Sequence, residues 1–234
     1  MLRVPLDALL EGECVLDEAT SKYVARVHRL GRGAVFLAFE PVSAREALAE
    51  IVAAGERVRV RLGPPTASTN VPKREVTVIQ TASKGSKIDD VLRDATELGA
   101  TRFVIATGRR SVKRPEAAQL PRWQRIAVEA ARQCGRGDVP TLVGPLSLDD
   151  ALKEQGEVRW LLDPHGTPVH ELVHSAGGGA TVLVIGPEGG FDPAELELAA
   201  RLGYLRVALG AFVLRTETAC AAALGALAAI TDVR

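Results

Sequence analysis

The 234-residue sequence has no apolar run of about 18 residues, so no segment is long enough to span a membrane as a helix. Its first residues also lack the basic start and long apolar core of a secretory signal. The three cysteines, Cys14, Cys134 and Cys220, are far apart and odd in number, which argues against a disulfide framework or a zinc site. These absences predict a cytoplasmic protein with reduced thiols and no membrane partner.

Motifs for several common chemistries are absent as well. There is no GxGxxG or GxxxxGK[ST] phosphate loop and no GxSxG nucleophile elbow. His170 and His174 have the spacing of a metal-binding pair on a helix, but no third ligand lies near them in the sequence. We therefore expect neither a hydrolase nor a metal site.

Charge is balanced overall but unevenly distributed. The net charge is zero, which argues against a uniformly basic nucleic-acid binder. Between Arg102 and Arg136, however, nine Lys or Arg residues stand against two acids, a local charge of +7. A second cluster, in residues 22–32, contains no acid. The two clusters predict contact with a polyanion; the alternative is that they are ordinary solvated faces.

The chain divides by pattern into two parts. Residues 1–63 contain short alternating runs such as "RVRVRL", typical of a small, mostly β domain. Residues 64–75 are rich in Pro, Ser and Thr and indicate a linker. Residues 76–234 alternate apolar strands with amphipathic helices, with strands predicted at 76–82, 102–107, 158–163, 180–186 and 205–210. This alternation predicts an α/β domain with a parallel sheet.

Three predicted strand ends have unusual sequences. In "GPEGGFDPAELELAARLG", Asp192 and Glu195 have the spacing of a capping box, which predicts a glycine-rich loop from Gly186 to Gly190 before a helix. The other two are "LLDPHG" (161–166) and "LGAFVLRTET" (209–218). Ligands of open α/β sheets bind at the carboxyl ends of strands, and glycine lets them approach the backbone. The sequence therefore predicts one binding site built from these three segments.

Several of these segments resemble a known family. "LVIGPEGGFDPAELELA", "GYLRVALG" and "VLRTETACAAA" resemble the SPOUT-superfamily RNA methyltransferases, and more narrowly the RsmE-type enzymes that methylate N3 of a uridine in 16S ribosomal RNA. The likeness covers residues 76–234 closely and 1–63 loosely. It implies a C-terminal trefoil knot, a small N-terminal PUA-like β-barrel, a homodimer, S-adenosylmethionine as cofactor and the small ribosomal subunit as partner.

The resemblance also implies site residues. The cofactor-binding residues carried over are those of the three strand-end segments: Leu161, Leu162, Pro164, Ile185, Gly186, Pro187, Glu188, Gly189, Gly190, Leu209, Gly210, Val213, Leu214, Thr218 and Ala219. The RNA-binding residues are basic positions of the two clusters: Arg26, Arg29, Arg110, Lys113, Arg114, Arg132 and Arg136. Phe212 departs from the family pattern, in which an arginine is usual at this position.

Methylation of uracil N3 requires the protein to favour the uracil anion. A guanidinium suits this task because it is planar, permanently charged and donates only. Arg215 is the predicted catalytic residue, with Glu217 as its orienting group or as a proton acceptor; the alternative is that the two form a structural ion pair at a helix start. Two other functions stay open: methylation of a different RNA position, and a catalytically silent RNA-binding factor.

Overall fold

The computed structural model describes residues 1–82, 87–112, 114–172 and 177–231. Lys113, predicted to contact RNA, and His174, of the predicted histidine pair, lie outside the described residues. The chain forms two compact units. The first contains Met1–Val71 and Ala131–Val139, and the second contains Pro72–Ala130 and Pro140–Arg234. Within the described ranges, no helix is both long and apolar enough to cross a membrane.

The first unit is built on a six-stranded sheet. Its strands are β1 (Arg3–Pro5), β2 (Gly12–Val15), β3 (Val35–Glu40), β4 (Arg45–Ala53), β5 (Arg59–Leu62) and β6 (Thr66–Ala67). They lie in the order β1-β3-β4-β5-β2, with β6 paired to β4, and only β1 and β3 run parallel. Strand β4 buries Ala47, Ala49 and Ile51 and exposes the residues between them, as expected for a strand with one wet face. A short helix, α1 (Glu18–Lys22), is capped by Asp17.

Residues 131–139 join the first unit through backbone contacts. The Asn70 side-chain amide donates to the Gly135 carbonyl over 2.6 Å, and the Gly137 N–H donates to the Asn70 carbonyl over 2.8 Å. A Cβ at Gly137 would lie 2.0 Å from Ser68 Oγ, so only glycine fits there. The helix Leu120–Cys134 keeps its periodicity to its last residue. The sequence pattern therefore gives no sign that the end of this helix packs in the first unit.

The second unit is built on an all-parallel sheet, as predicted. Its strands are β7 (Val76–Thr81), β8 (Arg102–Thr107), β9 (Thr141–Ser147), β10 (Val158–Pro168), β11 (Thr181–Ile185) and β12 (Leu205–Ala208). They lie in the order β12-β10-β11-β7-β8-β9. Strand β9 was not predicted because Gly144 and Pro145 interrupt its sequence with turn signals.

Strand β10 is longer than predicted. Its pairing with β12 shifts register between Leu162 and Thr167 and then resumes, so "LLDPHG" is a bulged strand end and not a free loop. Gly166 makes this possible: a Cβ there would lie 2.4 Å from the carbonyl carbon of Arg206. The bulge keeps this segment close to the backbone of β12.

The helices of the second unit are α2 (Lys87–Glu97), α3 (Leu120–Cys134, whose last turn belongs to the first unit), α4 (Leu148–Ala151), α5 (Val169–Leu172), α6 (Pro193–Arg201) and α7 (Thr216–Thr231). Helix α6 begins with the predicted capping box: Asp192 accepts from the helix N-terminus and Glu195 accepts from the Asp192 N–H. Helix α7 packs against α2 and against β11. The glycine-rich loop predicted at Gly186–Gly190 lies between β11, which ends at Ile185, and the capped helix α6, which begins at Pro193.

Candidate functional site

The three unusual segments follow three neighbouring strands. Strand β10 lies between β12 and β11, and all three run parallel. Their carboxyl ends therefore share one edge of the sheet, where the bulge of β10, the loop of residues 186–192 and the loop of residues 209–215 come together. The sheet order supports the prediction that these segments form one site.

The glycine-rich loop contains glycines of different kinds. A Cβ at Gly186 would lie 2.9 Å from the Phe191 ring, so packing explains that glycine. Gly190 has φ of +68°, and its N–H donates to the Pro187 carbonyl over 2.9 Å, so a tight turn explains it. At Gly189, which is exposed, a Cβ would meet its nearest neighbour, the Cβ of Arg110, at an ordinary 3.6 Å. The fold does not require glycine at 189, which leaves ligand approach as a reason for it.

The loop after β8 contacts the glycine-rich loop. The Arg110 guanidinium donates from Nη1 to the Gly189 carbonyl over 3.2 Å, and Arg109 Nη1 lies 3.5 Å from Asp192 Oδ1. The Arg109 N–H donates to Glu195 Oε1 over 2.6 Å. Arg110, predicted to contact RNA, therefore also touches the predicted cofactor loop. Sequence reasoning missed Arg109 and assigned Glu195 only a capping role.

The loop before α7 exposes large apolar side chains. Phe212 is 84% exposed and Val213 is 79% exposed. The other four phenylalanines and both tryptophans are buried, so Phe212 is unusual among these aromatic side chains in being exposed. Gly210 leaves open space, because a Cβ there would meet nothing within 4 Å. These residues are accessible to a ligand or to RNA.

Arg215 lies at the start of α7 with its side chain exposed. It forms no ion pair with a carboxylate of the described residues. The structure therefore does not contain the ion pair with Glu217 that was the alternative to a catalytic role. Glu217 instead accepts from the Thr216 hydroxyl over 3.1 Å and lies in the first turn of α7, where a carboxylate is favourable. The Arg215 guanidinium is thus available to a substrate.

The remaining predicted cofactor residues differ in accessibility. Leu161, Leu162 and Ile185 are buried in the sheet, so they can contact a ligand only through the backbone. Pro164, Glu188 and Thr218 are exposed, whereas Pro187 is buried. Leu209, Leu214 and Ala219 lie at the same edge in the loop before α7 and in its first turn. All of these assignments stay predictions.

Part of the basic cluster between 102 and 136 is neutralised by acids from outside it. Arg102 makes a two-point pair with Glu154, at 2.9 and 2.8 Å, and Arg122 pairs with Asp89. Arg136 is buried and pairs with Asp138. The prediction that Arg136 binds RNA is wrong, because this side chain is 6% exposed and its charge is matched within the fold.

Other basic residues remain accessible to different degrees. The Arg132 guanidinium carbon lies 4.3 Å from the centre of the Tyr23 ring, and burial lowers the pKa of this group. Arg26, Arg29 and Arg114 are exposed. Arg29 has φ of +55°, a left-handed conformation that is uncommon for a residue other than glycine. The assignment of these four to RNA binding stays a prediction.

The thiols do not provide a nucleophile in the core. Burial raises the pKa of Cys220 to about 12, with a smaller contribution from Asp94, and burial also raises the pKa of Cys14. Both are therefore neutral at physiological pH. In the part of the chain that the structure describes, no group of three His, Cys, Asp or Glu side chains could hold a metal ion. The groups exposed at the sheet edge include the Arg110 and Arg215 guanidiniums, the Glu188 carboxylate and bare backbone.

A cavity of about 330 Å³ lies apart from the glycine-rich loop, between β10, α6 and β12. Its lining is mostly apolar and includes Leu161, Leu196 and Tyr204. At its rim, Arg206 is paired with Asp163, whose oxygen lies 3.0 Å away. This pairing leaves the cavity without an unmatched charge to recognise a polar ligand.

Comparison with known proteins shows similarity to RNA methyltransferases. The sequence model of the RNA methyltransferase domain family matches residues 70–228. "Ribosomal RNA small subunit methyltransferase E" of Mycobacterium bovis is 35% identical over 167 residues, which cover 67% of this chain and 64% of that protein. The protein of the same name from Synechocystis is 29% identical over 239 residues, 99% of this chain and 78% of the relative. The match thus spans less than two thirds of the mycobacterial relative.

A solved structure is similar over the whole chain. "Ribosomal RNA small subunit methyltransferase E" of Neisseria gonorrhoeae, solved with bound S-adenosylmethionine, has a TM-score of 0.90 and 26% identity, and the superposition covers 100% of both chains. The similarity includes both compact units of this chain.

Proposed function

Because this chain belongs to the RNA methyltransferase domain family, we propose that it transfers a methyl group from S-adenosylmethionine to N3 of a uridine in 16S ribosomal RNA of the small subunit. The observation that carries this proposal is the shared sheet edge. At this edge the loop of residues 186–192 carries Gly189, an exposed glycine that the fold does not require. The loop of residues 209–215 ends there at the exposed Arg215. The names of the relatives support the substrate.

The proposed cofactor fits the residues present. Gly189 and Gly210 leave room for a ligand against the backbone, and each of their loops follows a strand whose end is buried. When bound, S-adenosylmethionine supplies an electrophilic methyl group. The backbone of residues 185–190 and 209–214 would hold it, together with the bulge of β10.

Arg215 and Glu217 are the proposed catalytic residues. Loss of the N3 proton leaves a negative charge that spreads to the flanking carbonyl oxygens of uracil. Arg215 presents a permanent positive charge to that anion, and no carboxylate of the described residues forms an ion pair with it. Glu217, fixed by the Thr216 hydroxyl in the same helical turn, is the proposed orienting group or proton acceptor.

The finer features of the fold are part of the proposal. We propose a C-terminal trefoil knot; the return of α7 from the edge strand β12 to pack on β11 and α2 supports it. The six-stranded sheet of the first unit supports a PUA-like β-barrel, and its exposed Arg26 and Arg29 are proposed RNA contacts. A homodimer completes the proposal, and sedimentation of the purified protein tests it.

A single experiment tests the activity. The protein is incubated with small ribosomal subunits, or with free 16S RNA, and isotope-labelled S-adenosylmethionine, and the RNA is digested for nucleoside mass spectrometry. We expect labelled 3-methyluridine. Label in another nucleoside would place this chain among methyltransferases of a different RNA position. No label with either RNA, in a protein that binds the cofactor, would indicate a silent RNA-binding factor.

A further inference from the structure

Glu195 has an environment that helix capping does not account for. It is the third residue of α6, and the residue is 1% exposed. A buried carboxylate is costly unless its oxygens are hydrogen-bonded. Oε2 accepts from the Asp192 N–H over 2.8 Å, which is the capping contact. Oε1 accepts from the Arg109 N–H over 2.6 Å, so the other oxygen binds a different loop.

This second bond crosses the end of a strand. Arg109 follows β8 and Asp192 follows β11, and β7 lies between these two strands in the sheet. Glu195 therefore ties together two loops that are not neighbours along the sheet edge. Gly108 is adapted to it, because a Cβ there would lie 3.1 Å from Glu195 Oε1, closer than such contacts usually are.

Two side-chain contacts join the same two loops but are more exposed to solvent. Arg109 is 53% exposed where it approaches Asp192, and Arg110 donates to the Gly189 carbonyl from an exposed position. Exposed contacts of this kind contribute little and are screened by salt. Glu195 is a buried link between the two loops, and it binds the backbone of Arg109 directly.

We propose that Glu195 is a positioning residue for methyl transfer. It fixes the loop that carries Arg109 and Arg110 against the glycine-rich loop, so that RNA phosphate held by Arg110 keeps a constant spacing from the methyl donor. This inference rests on the proposed function. Its consequence is kinetic, since a displacement of about 1 Å at a reacting centre can lower a rate by about 10²-fold.

Glu195→Gln separates the two hydrogen bonds. Glutamine at the third position of a helix still accepts from the capping N–H, so α6 keeps its capping box. Its other terminal atom is an NH₂ group, which cannot accept from the Arg109 N–H. The matched control is Glu197→Gln, the same substitution at an exposed position of the same helix. Gly108→Ala presses on the same carboxylate oxygen without changing a charge.

Two measurements are needed, one of which is independent of activity. Amide hydrogen exchange should be at least about tenfold faster at Arg109 in Glu195→Gln, and unchanged at Asp192. Single-turnover methylation at saturating cofactor and RNA should fall by about 10²-fold, while the dissociation constant for S-adenosylmethionine changes by less than about threefold. Glu197→Gln should match the wild type in both, and Gly108→Ala should shift both in the direction of Glu195→Gln.

The outcomes that overturn the inference are distinct from failure of the proposed function. A wild-type protein that methylates no RNA contradicts the proposed function. An active wild type, together with a Glu195→Gln protein that has the wild-type single-turnover rate, contradicts this inference alone. Unchanged exchange at Arg109 also overturns it, because the bridge would then be dispensable. If Glu195→Gln does not fold, Gly108→Ala decides by the same two measurements.

Discussion

Arg136 and Asp138 form a two-point ion pair, with Nε 2.8 Å from Oδ1 and Nη2 2.9 Å from Oδ2. Both residues belong to the segment 131–139 that packs in the first unit. The guanidinium is 6% exposed, so it is a structural cation and not part of an RNA-binding surface.

Arg136→Ala should therefore lower stability and leave RNA binding unchanged. Removing one partner of a buried ion pair leaves the other charge uncompensated, and we expect a loss on the order of 3 kcal/mol in the free energy of unfolding. Urea denaturation measures this loss, and filter binding measures RNA affinity. If the variant is as stable as the wild type but binds RNA more weakly, the assignment of Arg136 to the core is wrong.

The basic cluster shows what a linear reading of charge can and cannot predict. Counting residues gives +7 between 102 and 136, but Glu154 and Asp89 neutralise Arg102 and Arg122 from 52 and 33 residues away. Such pairings are made by the tertiary fold, and no local pattern encodes them. The sequence therefore predicted a charge surplus that the folded protein cancels in part.

Local signals predicted other features well. The capping box of α6 depends on residues three positions apart, and the parallel sheet on strand-helix alternation, so both are visible in the sequence. The bridge from Glu195 to Arg109 spans 86 residues and was not predictable. Its only sequence signal is Gly108, a glycine without a turn that requires it, and this signal alone names no partner.

Gly189→Val should weaken binding of S-adenosylmethionine without unfolding the protein. In the free protein a Cβ at this exposed position meets its nearest neighbour at 3.6 Å, so the fold can accept a side chain. The added side chain would then crowd a ligand that lies against the backbone and weaken its binding by about 1–3 kcal/mol, or about 5- to 150-fold in affinity. Calorimetric titration measures the affinity, and circular dichroism monitors the fold. Wild-type affinity in a folded Gly189→Val protein would remove Gly189 from the cofactor site.

Arg114→Ala should weaken RNA binding and reduce its salt dependence. Arg114 is exposed, and each lost phosphate contact lowers the slope of log affinity against log salt by about 0.7–0.9. Arg93→Ala is the control, because Arg93 is half-exposed but already paired with Asp90 at 2.9 Å. The measurement is RNA affinity between low and moderate salt. Equal slopes for Arg114→Ala and the wild type would show that Arg114 is only a solvated charge.

Phe212→Ala should lower RNA affinity because an exposed aromatic side chain beside the proposed active site can stack on an unpaired base. Such stacking contributes about 1–3 kcal/mol per base when measured by alanine substitution. Phe212→Trp should keep the affinity for RNA, and the fluorescence of its added indole should be quenched when RNA binds. Sedimentation is the control: a Phe212→Ala protein that binds RNA normally but no longer forms a dimer would place Phe212 in a contact between subunits.

Arg215→Ala should lower the rate of methyl transfer by about 10²–10³-fold, by analogy with the loss of one oxyanion donor. The exposed guanidinium has no carboxylate partner among the described residues, so its removal should leave the melting temperature and cofactor affinity close to the wild type. Arg215→Lys should restore only part of the rate, because an ammonium does not reproduce the planar fork of donors. Single-turnover kinetics at saturating cofactor and RNA, measured beside thermal melts, separate chemistry from folding. A folded Arg215→Ala protein that transfers methyl groups at the wild-type rate would exclude Arg215 from catalysis and leave it as the residue that precedes α7.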